Sequence, residues 1–167
     1  SKKNIKTIKV LSTPENPANA VFEGLNSNLN IKDVNFIVHG TTVGLNAFLE
    51  RKGSRVLLLM TKGISDTYTI ARGDRKELYN VQYSKPGTLV PRRDVVEVEE
   101  RIMWDGSIHT NLNEKDLSNI VKIIKEQNIK AVAVCYLHSY VNPQHEIQTR
   151  KFLAQHIEDD VVISLSH

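Results

Sequence analysis

Two kinds of apolar pattern alternate along the chain. Short runs rich in β-branched residues predict strands, because such residues fit a pleated, half-buried surface. Stretches with helical spacing lie between them, and the clearest follows Asn113, a good N-cap residue. It places four apolar residues on one helix face: Leu117, Ile120, Val121 and Ile124. The predicted strands are 5–10, 36–38, 55–60, 95–98, 102–104, 131–136 and 161–165.

Turn and cap residues add detail to this α/β pattern. Asn16-Pro17 and Asn142-Pro143 each predict an N-cap followed by the first helical residue. The runs 55–60 and 131–136 are apolar at consecutive positions, which is typical of central strands with helices on both faces. Asp105-Gly106 fits a type I′ turn. We therefore predict the α/β class, with a mixed sheet flanked by helices and an attached antiparallel hairpin.

Composition narrows the class of protein. The 167 residues, 40% hydrophobic and 25% charged, are typical of a single globular domain, 1–167. A net charge of +3 is too small to indicate a nucleic-acid groove. The longest apolar runs are far shorter than the ~20 residues that span a bilayer. We expect a soluble cytoplasmic protein that binds neither nucleic acid nor membrane. The single cysteine, Cys135, has apolar neighbours and is predicted to be a reduced core residue.

The segment 36–47 is the most informative stretch for chemistry. It passes from a predicted strand through His39, Gly40, Thr41 and Thr42 into a predicted helix that ends near Gly53. Gly40 permits close approach to the backbone, and free N–H groups at a helix start favour an anion. Ligands of open α/β sheets bind beyond the carboxyl ends of strands. The alternative is structural: a threonine that only caps the helix and a histidine that only ends a strand.

Two other segments carry candidate residues. Arg72 and Arg75 flank a Gly-Asp pair and could clamp a carboxylate or phosphate, or lie in a solvated loop with Asp74 paired to one of them. His138, His145 and Glu146 suggest a metal, but their spacing is not that of a zinc motif, and we predict no metal site.

Several ordered motifs resemble the N-terminal region of the hydantoinase A/5-oxoprolinase family, and the resemblance covers essentially the whole chain. They are His39-Gly40-Thr41-Thr42-Val43 with Asn46, Glu50-Arg51-Lys52-Gly53, Thr61-Lys62-Gly63 with Asp66, Arg72 and Arg75, Lys85-Pro86, 89–92, 131–140, Asn142-Pro143 with His145-Glu146, and 164–167.

The resemblance implies part of an ATPase lobe of the actin and sugar-kinase type, with a ribonuclease H-like fold. It also implies an ATP-dependent enzyme that phosphorylates a carbonyl oxygen to open a cyclic amide such as hydantoin, N-methylhydantoin or 5-oxoproline. On this basis His39, Thr41 and Thr42 are candidate catalytic residues. The candidate substrate-binding residues are Asn46, Arg72 and Arg75. The two arginines are candidates for the side of the site that binds the substrate or a phosphate group. The alternatives are a subunit of an acetone or acetophenone carboxylase, and a non-catalytic ligand-binding module.

The family pattern also bears on cofactors and partners. Its usual Asp-x-Gly-Gly-Thr hairpin, which handles the nucleotide phosphates and Mg²⁺, does not precede Ile8. We expect ATP and Mg²⁺ in the intact enzyme and neither bound to this chain, which we predict to be inactive alone. The expected partners are a small cyclic amide or ketone, a second lobe of the same protein, and in some cases a partner subunit.

Overall fold

The computed structural model describes residues 5, 7–13, 15–70 and 79–167. Arg72 and Arg75 lie outside these residues. Contacts divide the chain into two compact units, Ser1–Leu45 and Asn46–His167. No helix within the described ranges is long and apolar enough to cross a membrane.

The first unit contains helix α1, Pro17–Asn26. The predicted cap is confirmed, because the Asn16 side chain accepts the N–H of Ala18 at 3.2 Å. A Cβ on Gly24 would lie 3.2 Å from Val10 Cγ1, so this glycine lets the preceding segment approach the helix closely.

Two predicted strands are absent from the described part of the first unit. The described residues of 5–10 and all of 36–38 have no strand assignment. Phe36 and Val38 are 83% and 81% exposed. A strand needs a hydrogen-bonded neighbour, and the described residues supply none for these segments. The apolar pattern was therefore insufficient to form a strand here.

Helix α2, Val43–Leu49, begins at the end of the first unit and continues into the second. It ends four residues before Gly53, because Arg51 adopts a left-handed φ of +52° and Lys52 N bonds to Ala47 O at 2.9 Å. This pattern closes a helix C-terminus.

The second unit is built on a four-stranded sheet in which all the neighbouring strands run parallel. The predicted α/β class is confirmed, and so are the runs 55–60 and 131–136 as the two central strands. The antiparallel pairing is confined to a separate two-stranded hairpin. The strands are β1 Val56–Thr61, β2 Val95–Val98, β3 Arg101–Ile102, β4 Ile108–Thr110, β5 Ala131–Cys135 and β6 Val162–Leu165, with sheet order β2-β1-β5-β6 and hairpin β3-β4.

The described part of this unit also contains the α-helices α3 Asp66–Ile70, α4 Glu114–Glu126 and α5 Gln144–His156. The four apolar residues predicted on one face of α4 are all buried, and Asn113 accepts the N–H of Lys115 at 3.0 Å as its cap. Helix α5 begins one residue later than predicted, at Gln144, whose N–H is bound by Asn142.

The core lies between one face of the sheet and helices α4 and α5. Alternate residues of the central strands point into it, including Leu57, Leu59, Val132 and Val134, none more than 1% exposed. Cys135 belongs to the opposite set of alternating residues and is exposed. The prediction of a core cysteine was wrong, because a shift of one position in a strand moves a side chain to the other face.

The hairpin turn differs from the predicted type. Gly106 has φ +84°, but Asp105 is not in the left-handed region, so this is not a type I′ turn. Gly106 N bonds to Met103 O, and Met103 N bonds to Ser107 O, a turn followed by a left-handed glycine. The Asp105 carboxylate accepts the N–H and hydroxyl of Ser107.

An ion pair ties the start of β1 to the start of β2. The Arg55 guanidinium contacts Asp94 Oδ1 at 2.5 and 3.0 Å, and Asp94 is 1% exposed. Arg55 also donates to Gln127 Oε1 at 2.6 Å, beyond the end of α4. The hydrogen bond from Arg55 lowers the pKa of Asp94 more than burial raises it.

We predict that Leu153→Ala lowers the free energy of unfolding by about 2–5 kcal/mol, because it leaves a cavity in the core. Leu153 is fully buried on α5. Ile147, on the same helix, is 50% exposed, so Ile147→Ala is the matched control and should cost less than about 1 kcal/mol. Urea unfolding measures both. Equal losses in the two variants would contradict the assignment of the core.

We also predict an acid-sensitive contribution from Asp94. The carboxylate is more acidic folded than unfolded, so its stabilisation is present above its unfolded pKa of about 3.9 and is lost as pH falls through the lower folded value. Asp94→Asn should therefore be clearly less stable than the unmodified chain near neutral pH, and the difference should shrink in acid. Urea unfolding at a series of pH values measures this difference.

The exposed Asp159 provides the control for loss of one negative charge, as Asp159→Asn. If the stability gap between Asp94→Asn and the unmodified chain stayed constant from neutral to acid pH, the Asp94 carboxylate would not be the source.

Candidate functional site

The carboxyl ends of the four parallel strands meet at one edge of the sheet, at Thr61, Val98, Cys135 and Leu165. The turns that follow them carry carboxylates, hydroxyls and imidazoles. Ligands of open α/β sheets bind at this edge. We therefore take the carboxyl edge of the second unit as its candidate site.

A buried polar chain links three elements at this edge. Thr61 donates a hydroxyl hydrogen bond to Glu100 Oε1, and the other oxygen of Glu100 lies 2.7 Å from Nδ1 of His145. Thr61 Oγ1 also accepts the N–H of Leu137 at 2.9 Å. Thr61, Glu100 and His145 are each no more than 3% exposed. The chain therefore fixes the ends of β1 and β5 and the start of α5 to one another.

Glu146 forms a second buried cluster beside the first. Its carboxylate accepts the backbone N–H groups of Tyr136, Ser166 and His167, at 3.0, 2.9 and 3.3 Å. It also accepts the Ser166 hydroxyl at 2.7 Å and lies 2.8 Å from His167 Nδ1. Burial acts to raise the pKa of Glu146, but the hydrogen bonds from Ser166, His167 and the backbone outweigh it and lower that pKa.

Tyr136 packs between these clusters and the core. Its hydroxyl lies 3.0 Å from Thr149 Oγ1 on α5, and the residue is 3% exposed. Burial raises the pKa of its phenol well above the ordinary value. Tyr136 is therefore a neutral hydrogen-bonding group at physiological pH.

A third group lies at the ends of β1 and β2. Glu97 accepts the Ser65 hydroxyl at 2.7 Å and the N–H of Gly63 at 3.0 Å. These hydrogen bonds lower the pKa of Glu97, and the bond from Ser65 has the largest effect. Partial burial acts to raise this pKa but is outweighed. A polar cavity of about 380 Å³ lies beside it, lined by Ser65, Asp66, Thr69, Arg92, Val95 and Glu97.

Two carboxylates without an evident partner in the sequence form ion pairs in the structure. Asp66 is paired with Arg92 at 2.6 Å, and Glu50 with Lys52 at 2.9 Å. Both pairs are exposed, so each contributes little to stability.

The predicted site residues of segment 39–46 are all exposed. Thr41 Oγ1 accepts the N–H of Val43 at 3.2 Å, so it does cap α2. A Cβ on Gly40 would meet no atom within 4 Å, so no group of the described chain approaches that backbone closely. Arg72 and Arg75 lie outside the described residues, and the roles predicted for all six residues remain predictions.

His145 and Glu146 are adjacent in the sequence, but their side chains contact different groups. His145 contacts Glu100, whereas Glu146 contacts the ends of β5 and β6. Among the described residues, no group of three or more His, Cys, Asp or Glu side chains is arranged to hold a metal ion.

The role of Glu100 and the hydrogen bonds of Thr61 were not predicted from the sequence. Glu100 closes an acidic stretch with Glu97 and Glu99, which by pattern alone resembles a solvated hairpin. Its partners lie 39 residues earlier and 45 residues later in the chain. The family motifs Thr61-Lys62-Gly63, 131–140, His145-Glu146 and 164–167 do contribute residues to this edge.

Comparison with known proteins finds relatives that are several times longer than this chain. It is 31% identical to caprolactamase subunit alpha of Pseudomonas jessenii over 96% of the chain and 25% of that protein. It is 31% identical to acetophenone carboxylase gamma subunit of Aromatoleum aromaticum, over 75% of the chain and 18% of that protein. It is also 31% identical to 5-oxoprolinase 1 of Arabidopsis thaliana, over 71% of the chain and 11% of that protein.

The fold has a solved counterpart. The crystal structure of ATP-dependent caprolactamase from Pseudomonas jessenii superimposes with a TM-score of 0.78 at 30% identity, covering 97% of this chain and 25% of that one. The chain thus spans about a quarter or less of the length of these relatives. The sequence model of the hydantoinase/oxoprolinase N-terminal region matches residues 1–157. Because this match covers nearly the whole chain, the chain belongs to the hydantoinase/oxoprolinase family.

Proposed function

We propose that the intact protein is an ATP-dependent hydrolase of cyclic amides, of the lactam, 5-oxoproline or hydantoin type. The observation that carries this proposal is the extent of the likeness to caprolactamase subunit alpha, 96% of the chain in sequence and 97% in structure. An acetone carboxylase structure also covers 93% of the chain, but at 21% identity against 30% for caprolactamase. The higher identity to caprolactamase favours amide hydrolysis over ketone carboxylation.

The charge of the carboxyl edge argues against a polyanionic ligand. Glu97, Glu99, Glu100 and Glu146 all lie there, and Lys62 is already 3.6 Å from Glu99. A triphosphate needs cations and free N–H donors, but Glu97 uses the N–H of Gly63 and the hydroxyl of Ser65. This edge, as far as it is described, does not fit a triphosphate. It does suit an amide, which offers both a hydrogen-bond donor and an acceptor.

ATP, when bound, would supply a phosphoryl group that activates the amide carbonyl. We assign its contacts, and those of Mg²⁺, to residues other than those of this edge. We propose that 1–167 works as one domain within a larger ATPase lobe. Its partners would be a second lobe of the same protein and, as the word subunit in the names of two relatives suggests, a partner subunit.

The candidate catalytic group is His39, Thr41 and Thr42, with Asn46, Arg72 and Arg75 proposed to bind substrate. The geometry of Thr41 is compatible with a chemical role beside its capping role. Its oxygen accepts the N–H of Val43, which leaves its own hydrogen available to donate to a substrate carbonyl. A donor at that position stabilises the charge that develops on the carbonyl oxygen.

A substrate panel tests the proposed reaction. We expect the full-length protein, together with any partner subunit it requires, to hydrolyse ATP at least about tenfold faster with caprolactam, 5-oxoproline or a hydantoin than without them. The ring-opened acid should form at the same time. Measured together, phosphate release and product formation separate coupled turnover from background ATPase activity.

Acetone and acetophenone with bicarbonate form the second arm of the panel. If ATP hydrolysis responds to the ketones and not to the cyclic amides, the protein is a carboxylase component, and the proposed hydrolase function is wrong.

Substitutions at Thr41 separate capping from chemistry. Thr41→Ala removes both and should lower kcat by at least about tenfold while costing about 1 kcal/mol of stability. Thr41→Asp keeps an N-cap oxygen but, when ionised, has no hydrogen to donate, so we expect near-normal stability with the same loss of rate. Thr41→Ser keeps both and should resemble the unmodified enzyme.

Steady-state kinetics and thermal unfolding of the three full-length variants provide the test. If Thr41→Asp keeps the normal rate, the hydroxyl serves only as a cap, and Thr41 leaves the proposed catalytic group.

A further inference from the structure

The backbone of His138 adopts a left-handed conformation, with φ +61°. Among the described residues other than glycine, Arg51 and Asn128 share this feature. Both follow the end of a helix, where a left-handed residue closes the last turn; after α4, Ile129 N bonds to Ile124 O at 3.0 Å. His138 instead follows strand β5, so helix capping does not account for it.

The chain before His138 is held by buried side chains from two other elements. The N–H of Tyr136 is bound by Glu146 of α5 at 3.0 Å, and the N–H of Leu137 by Thr61 of β1 at 2.9 Å. These contacts fix the direction in which the backbone leaves the sheet. The N–H of Ser139 also bonds to Tyr136 O at 3.4 Å, so His138 occupies the third position of a turn, where a left-handed residue fits.

The chain after His138 is fixed as well. The carbonyl of His138 accepts the N–H groups of Val141 and Asn142, at 2.9 and 3.2 Å. Asn142 also donates to Gly106 O in the hairpin at 2.9 Å. Strained conformations persist only where the surroundings determine them in this way, and they cluster at functional sites.

The imidazole of His138 adds little to the stability of the fold. It is half-buried and outside the core, and its nitrogen Nδ1 lies 3.3 Å from the hydroxyl of Tyr140, which is 78% exposed. Glycine would adopt the same backbone angles without a steric cost. A histidine here therefore makes the fold less stable than a glycine would, without a compensating contact in the interior.

The position of His138 in the fold gives a reason for a histidine at this costly site. It lies directly beyond the carboxyl end of a central strand, at the edge where ligands of such sheets bind. We propose that His138 is a catalytic residue of this enzyme whose imidazole contacts the amide group of the substrate. This inference rests on the proposed function, and it concerns residues of the second unit alone.

The chemistry of imidazole suits that contact. Near neutral pH it can donate or accept a proton, and amide cleavage needs a proton on the departing nitrogen. In such a step, water forms a new C–O bond to the phosphorylated carbonyl carbon and gives a proton to the ring. The imidazolium then passes that proton to the nitrogen as the C–N bond breaks, so the histidine is regenerated. The acyl phosphate that remains is hydrolysed by a second water, which releases phosphate and the ring-opened acid.

The test uses two variants of the full-length protein that accept left-handed backbone angles, His138→Gly and His138→Asn. Asn128→Gly is the matched control, because it changes another left-handed residue, one that follows α4 at the opposite edge of the sheet. Thermal unfolding and amide-dependent ATP hydrolysis are measured for all three.

We expect His138→Gly to unfold at the same temperature as the unmodified protein or a higher one, and to lose at least about tenfold in kcat/KM. His138→Asn should show the same loss with little change in stability. Asn128→Gly should keep the normal activity.

Two results would overturn the inference. A His138→Gly protein that unfolds at a lower temperature would show that the imidazole is structural, whatever the substrate. One that keeps normal kcat/KM would show that the imidazole is not needed.

A failure of the proposed function would be seen in which substrates stimulate ATP hydrolysis, not in the His138 variants. If only ketones and bicarbonate stimulated ATP hydrolysis, cyclic amide hydrolysis would be wrong. The same variants would then be assayed on that reaction, where a loss in His138→Gly without loss of stability would still support a substrate contact by His138.

Discussion

The carboxylate of Glu146 is the contact on which the carboxyl edge of the sheet depends. Parallel strands end together, and each leaves N–H groups without a partner where its ladder stops. Glu146 binds those of Tyr136 after β5 and of Ser166 and His167 after β6. One side chain at the start of α5 thereby fixes the exit directions of two strands. An ionised carboxylate suits this role, since it accepts several hydrogen bonds at once.

Thr61 and Glu100 extend this constraint across the sheet. Thr61 receives the N–H of Leu137 and donates to Glu100, which in turn holds His145 next to Glu146 on α5. Buried polar groups are costly unless they are hydrogen-bonded. No buried side-chain nitrogen or oxygen lacks a partner in the part of the chain that the structure describes. These satisfied hydrogen bonds therefore hold the ends of the strands in fixed positions.

Some of the predicted elements form as expected and others do not, for identifiable reasons. The apolar run 131–136 and the helical face after Asn113 carry strong periodicity and pack against each other. The run 36–38 has an equally apolar sequence, but the described residues give it no neighbouring strand. Cys135 lies among apolar neighbours, yet strand alternation directs it away from the covered face. Periodicity thus predicts an element well only where a partner surface also exists.

The sequence by itself determined the α/β class, the two central strands, the caps at Asn16 and Asn113, and the family. These depend on residues close together in the chain or on motif order. The tertiary structure alone decided that Glu100 meets Thr61 and His145, and that His138 adopts a left-handed backbone. Contacts across 39 and 45 residues leave no local pattern in a sequence. They arise only when the sheet brings the ends of its strands to one edge.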